Sequence, residues 1–182
     1  MAYYFSPFRK GYRKEKEGVT KNTCAFCDGK TIKKQVIKNK LGKVIENEHY
    51  YWVVNYFPKF EGHTMVVPKK HICGLNEETQ EEVLARNQVE RFAVATLQKL
   101  YPHSGVEIFL QYGAGSASSV SHLHWHIVPA LPSDTLRSFE KLGHFYTANE
   151  KEQKILIFPI KIQKAKRLLQ QALSQVIKTT NI

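Results

Sequence analysis

Three histidines alternate in the segment 121–129, which reads Ser-His-Leu-His-Trp-His-Ile-Val-Pro. In a β-strand, side chains at i, i+2 and i+4 share a face, so a strand here would place His122, His124 and His126 on one side. The apolar residues between them would line the buried side. Imidazole can attack an electrophile, exchange protons and bind metal near neutral pH. Three imidazoles in register therefore favour a chemical site over the alternative, the wet face of an edge strand.

A loop of small residues, Gly113–Ser119, leads directly into the histidine segment. Glycine, alanine and serine let backbone N–H groups approach an anion closely, and serine hydroxyls add further donors. Such a loop beside three imidazoles would hold a phosphate against a nucleophile. A flexible surface loop is the common alternative for this composition, but the direct connection to the histidines favours phosphate binding.

Cys24 and Cys27 form a C-x-x-C motif. This spacing indicates metal binding or redox chemistry, and metal is favoured because no helix of the thioredoxin type follows it. A closed tetrahedral zinc site needs two more ligands, for which His71 and His122 are candidates. The third cysteine, Cys73, is interpreted as a small buried residue.

The chain has 182 residues, 27 basic and 16 acidic side chains and a net charge of +11. The length fits one domain with extensions, and the charge favours anionic partners such as nucleotides, nucleic acid or an anionic membrane. Three cysteines are too few, and odd in number, for a secreted disulfide framework. No apolar run approaches the length of a membrane span, and the N-terminus lacks a signal-peptide core. A cytoplasmic protein that does not enter membranes is expected.

The hydrophobic pattern predicts an α+β fold. Residues 1–22 are interpreted as a basic N-terminal arm and residues 23–182 as a single domain. A long helix is predicted from about Asn76 to Leu100, and a closing amphipathic helix from Ala165 to Ile177. Strands are predicted at 35–39, 44–47, 50–57, 62–68, 106–111, the histidine segment and 155–160.

At these residues the chain resembles the histidine triad (HIT) family, whose signature is His-x-His-x-His followed by apolar residues. Gly62–His71 is similar to the family's earlier strand, and the C-x-x-C motif to its zinc-binding branch. The resemblance covers roughly residues 20–130. The sequence His-Leu-His-Trp-His and the Asn-x-x-Pro at 55–58 resemble the bacterial dinucleoside polyphosphate hydrolases and phosphorylases, as does the opening Phe5–Arg9.

The resemblance implies the family's fold and assembly. The fold would be an antiparallel sheet of about five strands with one long helix and a C-terminal helix. Two protomers would join through the long helix and a sheet edge, which makes a homodimer. Structural Zn²⁺ would be held by Cys24, Cys27, His71 and His122. The assignment of His122 to zinc conflicts with three imidazoles on one strand face unless the strand twists locally.

The resemblance also implies catalytic and binding roles. His124 would be the nucleophile that takes the nucleotidyl group, His126 would contact the same phosphate, and His63 would lie near His124 and orient it. A nucleotide pocket is implied, in which Asn55 binds ribose, Ala25, Phe26 and Val53 enclose the base, and Gln111 and Ser119 contact phosphate.

The predicted function is cleavage of a nucleotidyl phosphoanhydride in a dinucleoside polyphosphate, through a covalent intermediate on His124. The third triad position is His126 rather than the Gln found in nucleotidyl-transferring relatives, which favours hydrolysis. Pro129 is followed by Ala130, where many relatives carry Arg, so one phosphate contact of the family is absent or supplied by a lysine. The nucleobase, the number of phosphates, and hydrolysis against phosphorolysis stay open.

Two alternatives remain. One is a nucleoside phosphoramidase that acts on conjugates of AMP with amines. The other is a module associated with nucleic acid, or a DNA deadenylase, which the charge of +11 suggests without favouring. A deadenylating relative would carry a further C-terminal zinc finger, but no cysteine follows Cys73.

Overall fold

The computed structural model describes residues 24, 26–27, 42–55, 61–114, 116, 118, 120–134 and 162–179. These residues form one five-stranded antiparallel sheet and two helices, which confirms the predicted α+β class. The sheet order is β1-β2-β3-β5-β4. The strands are β1 (Lys43–Glu46), β2 (Tyr50–Val54), β3 (Thr64–Pro68), β4 (Gly105–Leu110) and β5 (Trp125–Ala130), and the helices are α1 (Gln80–Leu100) and α2 (Ile162–Thr179).

Some predicted elements fall outside the described residues. They are the basic arm at 1–22 and the strands at 35–39 and 155–160. The division into an arm and a single domain over residues 23–182 therefore stays a prediction. Among the residues described, no helix combines the length and the apolar character that a membrane crossing requires.

The central strands β2 and β3 separate two apolar clusters, one on each face of the sheet. Successive side chains of a strand point to opposite faces, so Trp52 and Val66 pack into the main core. Val53 and Met65 pack into the smaller cluster on the other face. All five residues of β3 are buried, because both of its faces are covered. One face of the sheet therefore packs on the main core, and the opposite face is available to carry a functional site.

Helix α1 begins at a capping box three residues later than predicted. The Thr79 hydroxyl accepts a hydrogen bond from the Glu82 N–H at 3.2 Å, and the Glu82 carboxylate accepts one from the Thr79 N–H at 2.7 Å. The predicted start at Asn76 is wrong, because a 3₁₀ turn at Leu75–Glu77 precedes the cap. The predicted end at Leu100 is confirmed. Four-residue spacing then buries Val89, Ala93 and Leu97 in the main core.

Helix α2 covers the predicted range 165–177 and extends it at both ends. Its buried face includes Leu169, Leu173 and Val176. The side-chain amide of Gln170 donates to the Val44 carbonyl at 3.1 Å, which ties α2 to strand β1. The helix therefore covers the β1 end of the main core.

The histidine segment is not one continuous strand. Strand β5 begins at Trp125, where pairing with Val66 of β3 starts, so of the three histidines only His126 lies within a strand. Upstream, the Leu123 N–H donates to the Ile72 carbonyl at 2.8 Å, outside the sheet ladder. The apolar side of the prediction is confirmed, because Leu123, Trp125 and Ile127 all lie in the main core.

Candidate functional site

Three buried imidazoles meet on the sheet face opposite the main core. His63 comes directly before β3, and His126 of β5 pairs with Met65 of β3, which brings the two rings together. His63 Nε2 lies 2.8 Å from His126 Nδ1. The rings of His124 and His126 are 4.8 Å apart between centroids, at an interplanar angle of 74°. The exposed fractions of these three residues are only 2–7%.

Gly62 permits His63 to take this position. Its φ is +69°, a conformation that residues with a Cβ rarely adopt. A Cβ built there would lie 2.7 Å from Pro129 Cγ and 2.9 Å from Tyr101 Cε2. The turn before β3 therefore requires glycine for both backbone and steric reasons.

Asn55 lies against His63 by two contacts. Its Nδ2 is 3.1 Å from His63 Nε2, and its backbone N–H donates to the His63 carbonyl at 3.1 Å. The side chain is buried. The His63 ring thus contacts Asn55, His126 and Phe109. That His63 lies near His124 and orients it stays a prediction.

The tautomer of His124 follows from its hydrogen bond to the chain itself. His124 Nδ1 lies 2.8 Å from the carbonyl oxygen of His122. A carbonyl only accepts, so Nδ1 carries the proton. The lone pair of the neutral ring then lies on Nε2, which is the atom that can attack an electrophile.

An apolar surface adjoins these imidazoles. The Phe26 ring lies 5.3 Å from the His122 ring and 5.2 Å from the His124 ring, between centroids. Phe26 and Val53 belong to the smaller apolar cluster, together with Met65, Val67 and Val120. Of the residues predicted to enclose a base, Phe26 is therefore adjacent to His124, and Val53 lies in the same apolar cluster as Phe26. Ala25 and Ser119, also predicted for the pocket, lie outside the described residues.

The small-residue loop turns at Gly113, whose φ is +83°. The hydroxyl of Ser116 donates to the Gly113 carbonyl at 2.9 Å, and that of Ser118 donates to the Val120 carbonyl at 2.7 Å. Both hydroxyls thus stabilise the loop itself. Gln111 is half-buried where this loop leaves β4.

Four predicted metal ligands form one group beside the imidazoles. The ligand atoms of Cys24, Cys27, His71 and His122 all lie within 4.8 Å of one another. His122 Nδ1 is 3.3 Å from Cys24 Sγ and 3.2 Å from Cys27 Sγ. His71 Nδ1 is 3.3 Å from Cys27 Sγ. No strand twist is needed to bring His122 here, because this residue precedes β5.

The donor set and its surroundings fit Zn²⁺. Tetrahedral zinc bonds of about 2.0–2.3 Å separate neighbouring ligand atoms by about 3.3–3.8 Å, close to the distances here. His122 Nε2 donates to the Pro68 carbonyl at 3.0 Å, so Nδ1 turns its lone pair to the sulfurs. Burial lowers the pKa of His122 to about 4, which keeps the ring neutral at pH 7. The backbone N–H groups of Phe26 and Cys27 donate to Cys24 Sγ at 3.3 and 3.4 Å, which orients the sulfur within the group.

The family assignment rests on the sequence and agrees with this geometry. The HIT domain family matches residues 36–132, more than half of the chain. This chain belongs to the HIT domain family. A HIT-like protein of Mycoplasma pneumoniae, named as an uncharacterized 16.1 kDa protein, is 30% identical over 115 residues, which are 63% of this chain and 76% of that protein.

Solved structures show the shared HIT fold. A zinc-bound histidine triad family protein from Mycobacterium smegmatis superposes with a TM-score of 0.61 at 23% identity, over 87% of this chain and 98% of that one. The Plasmodium falciparum diadenosine triphosphate hydrolase in complex with Cyclomarin A has a TM-score of 0.55 at 21% identity, over 76% of this chain and 78% of that one.

One residue of this HIT domain contradicts the sequence prediction, and another was not predicted at all. Cys73 is exposed rather than buried, and its Sγ lies 3.5 Å from Nε2 of the candidate ligand His71. Arg86 packs on Trp125 behind the imidazoles and was not predicted. The spacing of Arg86 and Glu90 signals their i, i+4 ion pair, but no local pattern signals the contact with Trp125.

Proposed function

We propose that this HIT-domain chain is a nucleotide hydrolase or transferase that cleaves the phosphoanhydride of a dinucleoside polyphosphate through a nucleotidyl intermediate on His124. The observation that carries the proposal is the hydrogen bond from His124 Nδ1 to the His122 carbonyl, which assigns the lone pair to Nε2. Family membership supports it, and so does the fold shared with a diadenosine triphosphate hydrolase.

In the proposed first step, His124 Nε2 forms a bond with the α-phosphorus while the bond from that phosphorus to the bridging oxygen breaks. The leaving phosphate takes the electron pair and is protonated by solvent. The ring keeps its Nδ1 proton and becomes positively charged, and the His122 carbonyl stabilises that charge. In the second step a water oxygen attacks phosphorus and loses a proton to solvent, the P–N pair returns to Nε2, and the nucleoside monophosphate leaves. Two displacements give net retention at phosphorus.

His126 and His63 assist this step in the proposal. His126 contacts the non-bridging oxygens of the same phosphate, where a donor stabilises the charge that develops in the transition state. His63 holds His126 through the 2.8 Å contact between their ring nitrogens. This role differs from the sequence prediction, in which His63 orients His124.

The proposed nucleotide position follows from the surfaces around His124. The base lies on the apolar surface that includes Phe26 and Val53. The family resemblance adds Ala25, which lies outside the described residues, to the residues that enclose the base. Asn55 binds ribose in the proposal, and its contact with His63, which in turn contacts His126, supports this role. Gln111 and Ser119 contact phosphates from the loop that precedes the histidines.

Zinc has a structural role in the proposal. Bound Zn²⁺ would link the Cys24–Cys27 segment to the two segments that carry His71 and His122. Since His122 is two residues from the nucleophile, this link would hold the start of the histidine segment in place.

Turnover of diadenosine tetraphosphate, with and without added inorganic phosphate, tests the proposal. AMP and ATP formed from water are expected for a hydrolase, and ADP formed only with phosphate would indicate a phosphorylase. Rapid acid-free quenching should trap an AMP adduct on the peptide that contains His124. Preferred cleavage of an AMP amide would indicate the phosphoramidase instead. Zinc-loaded protein that cleaves none of these substrates would contradict the proposal.

A further inference from the structure

A closed set of polar and aromatic contacts lies behind the imidazoles, on the core side of the sheet. Trp125 is the first residue of β5, between His124 and His126 in sequence, and its side chain belongs to the main core. The indole therefore points away from the site while its backbone connects directly to the two histidines. The contacts of the Trp125 indole therefore determine how rigidly the backbone between His124 and His126 is held.

Arg86 of α1 covers the indole. Its guanidinium carbon lies 4.5 Å from the centroid of the Trp125 ring. Arg86 Nε donates to Glu78 Oε1 at 2.9 Å, and Nη1 donates to both carboxylate oxygens of Glu90 at 3.1 and 3.2 Å. The planar guanidinium is thus fixed by two carboxylates from different directions, which sets its orientation over the ring.

Tyr50 of β2 closes the set. Its hydroxyl donates to the same Glu78 oxygen that Arg86 contacts, at 2.5 Å. Its ring meets that of Trp125 edge-on, with centroids 6.1 Å apart and an angle of 71°. The Glu78 side chain is 1% exposed. Helix α1, strand β2 and strand β5 are therefore joined at Trp125 by contacts that meet at the buried Glu78 carboxylate.

Such a buried ionic group contributes little net stability, because desolvation of the charges offsets their attraction. Its contribution is geometric. His124 precedes the first residue of β5 and lies outside the sheet ladder. Trp125 follows His124 directly in the sequence, and its indole is buried in the main core. The indole therefore anchors the chain on the C-terminal side of His124.

We propose that the Arg86–Trp125 clamp, meaning the stacked pair with Glu78 and Tyr50, positions His124 so that Nδ1 faces the His122 carbonyl and Nε2 faces the substrate. Arg86 is a positioning residue, since it acts on the site through Trp125. The kinetic part of this inference rests on the proposed nucleotide chemistry, but the ring geometry of His124 does not.

Arg86→Lys in zinc-loaded protein tests the clamp. Lysine keeps the charge but cannot contact both carboxylates and stack on the indole at once. We expect ring ¹⁵N NMR of the substrate-free wild type to show His124 with its proton on Nδ1, and the variant to show a mixture of tautomers. On diadenosine tetraphosphate, kcat should fall at least tenfold while KM stays within about threefold. An unchanged His124 tautomer together with an unchanged kcat would overturn the inference.

Leu97→Ala is the matched control. Leu97 is fully buried in the same core on the same helix, about three turns beyond Arg86. This substitution should lower the melting temperature at least as much as Arg86→Lys, but leave the tautomer and kcat unchanged. An equal loss of kcat in both variants would show that general destabilisation explains the effect, which would also overturn the inference.

Trp125→Phe provides a second variant in case Arg86→Lys does not fold. It keeps the ion pairs of Arg86 but reduces the ring under the guanidinium, and we expect the same tautomer mixture and loss of kcat. If wild-type protein cleaves no nucleotide, the proposed function fails, and the NMR comparison alone still decides whether the clamp orients His124.

Discussion

A single hydrogen bond selects which nitrogen of His124 can react. The His122 carbonyl accepts at 2.8 Å from Nδ1, so the proton is held on the side away from Nε2. The carbonyl belongs to the residue that also contributes a ligand atom to the Cys24, Cys27 and His71 group. The geometry of His124, the proposed nucleophile, and of the candidate metal group therefore depends on the same backbone segment.

His124→Ala should lower kcat by several orders of magnitude, because it removes the attacking atom. The fold should persist, since the imidazole belongs to neither apolar cluster. Steady-state turnover and circular dichroism together check this.

His103→Asn is the control for that experiment. His103 is exposed and has a φ of +67°, which asparagine tolerates. This variant should keep wild-type turnover. Residual activity of His124→Ala within tenfold of wild type would contradict the assignment of the nucleophile.

At the scale of elements, helix α1 carries both Arg86 and the main-core residues, and its start is set by the Thr79 capping box. Thr79→Ala should destabilise the protein by about 1 kcal/mol, because the hydroxyl that accepts from the Glu82 N–H is lost. Asn76→Ala, at the helix start predicted from sequence, should change stability much less. Urea denaturation of both variants measures the difference, and equal effects would contradict the observed cap.

The cap also has a pH dependence. The hydrogen bond from the Thr79 N–H lowers the pKa of Glu82 below its ordinary value. The stabilisation is therefore complete above the unfolded pKa of 4.5 and is lost as the pH falls through the folded pKa. The difference between wild type and Glu82→Gln should accordingly shrink toward low pH.

The candidate zinc group joins three segments that are distant in sequence. We expect about one zinc per chain to copurify, and chelation to lower the melting temperature, because metal binding stabilises the folded state. Cys24→Ser should lose the metal. Cys73→Ser should keep it, since Cys73 lies outside the group of four. Elemental analysis of the three proteins checks the assignment, and metal-free wild-type protein would contradict it.

At the scale of the molecule, β4 is an edge strand of the described sheet and carries one exposed apolar side chain, Ile108. Ile108 is 45% exposed, and it pairs with Ile127, which lies on the core face with α1. We propose that two copies join at this edge and along α1, as the family resemblance implies. Edge strands with apolar side chains readily pair with another chain.

Ile108→Lys should therefore convert a dimer to a monomer in light scattering at micromolar concentration. Leu168→Lys, on α2 with a similar exposure of 43%, should leave the dimer intact. A monomeric wild-type protein would contradict the proposal.

Much of the architecture was predictable from periodicity. The four-residue spacing in α1 and the apolar residues between the histidines identify a buried face, because burial repeats with the period of the element. The runs of aromatic and β-branched residues in β2 and β3 identify strands that are buried along most of their length. The C-x-x-C motif pointed to a metal site, and the family resemblance implied the four residues that the fold brings together. The HIT family could be named from those motifs alone.

Tertiary structure decided what depends on contacts between distant residues. The strand stops short of His124 because pairing with β3 begins only at Trp125. His122 turns to Cys24, 98 residues away in sequence, since the chain upstream of β5 is free of the ladder. Arg86 reaches Trp125 only because α1 packs across the sheet. Local patterns report periodicity and spacing, and they carry no information about which distant side chains the core will bring into contact.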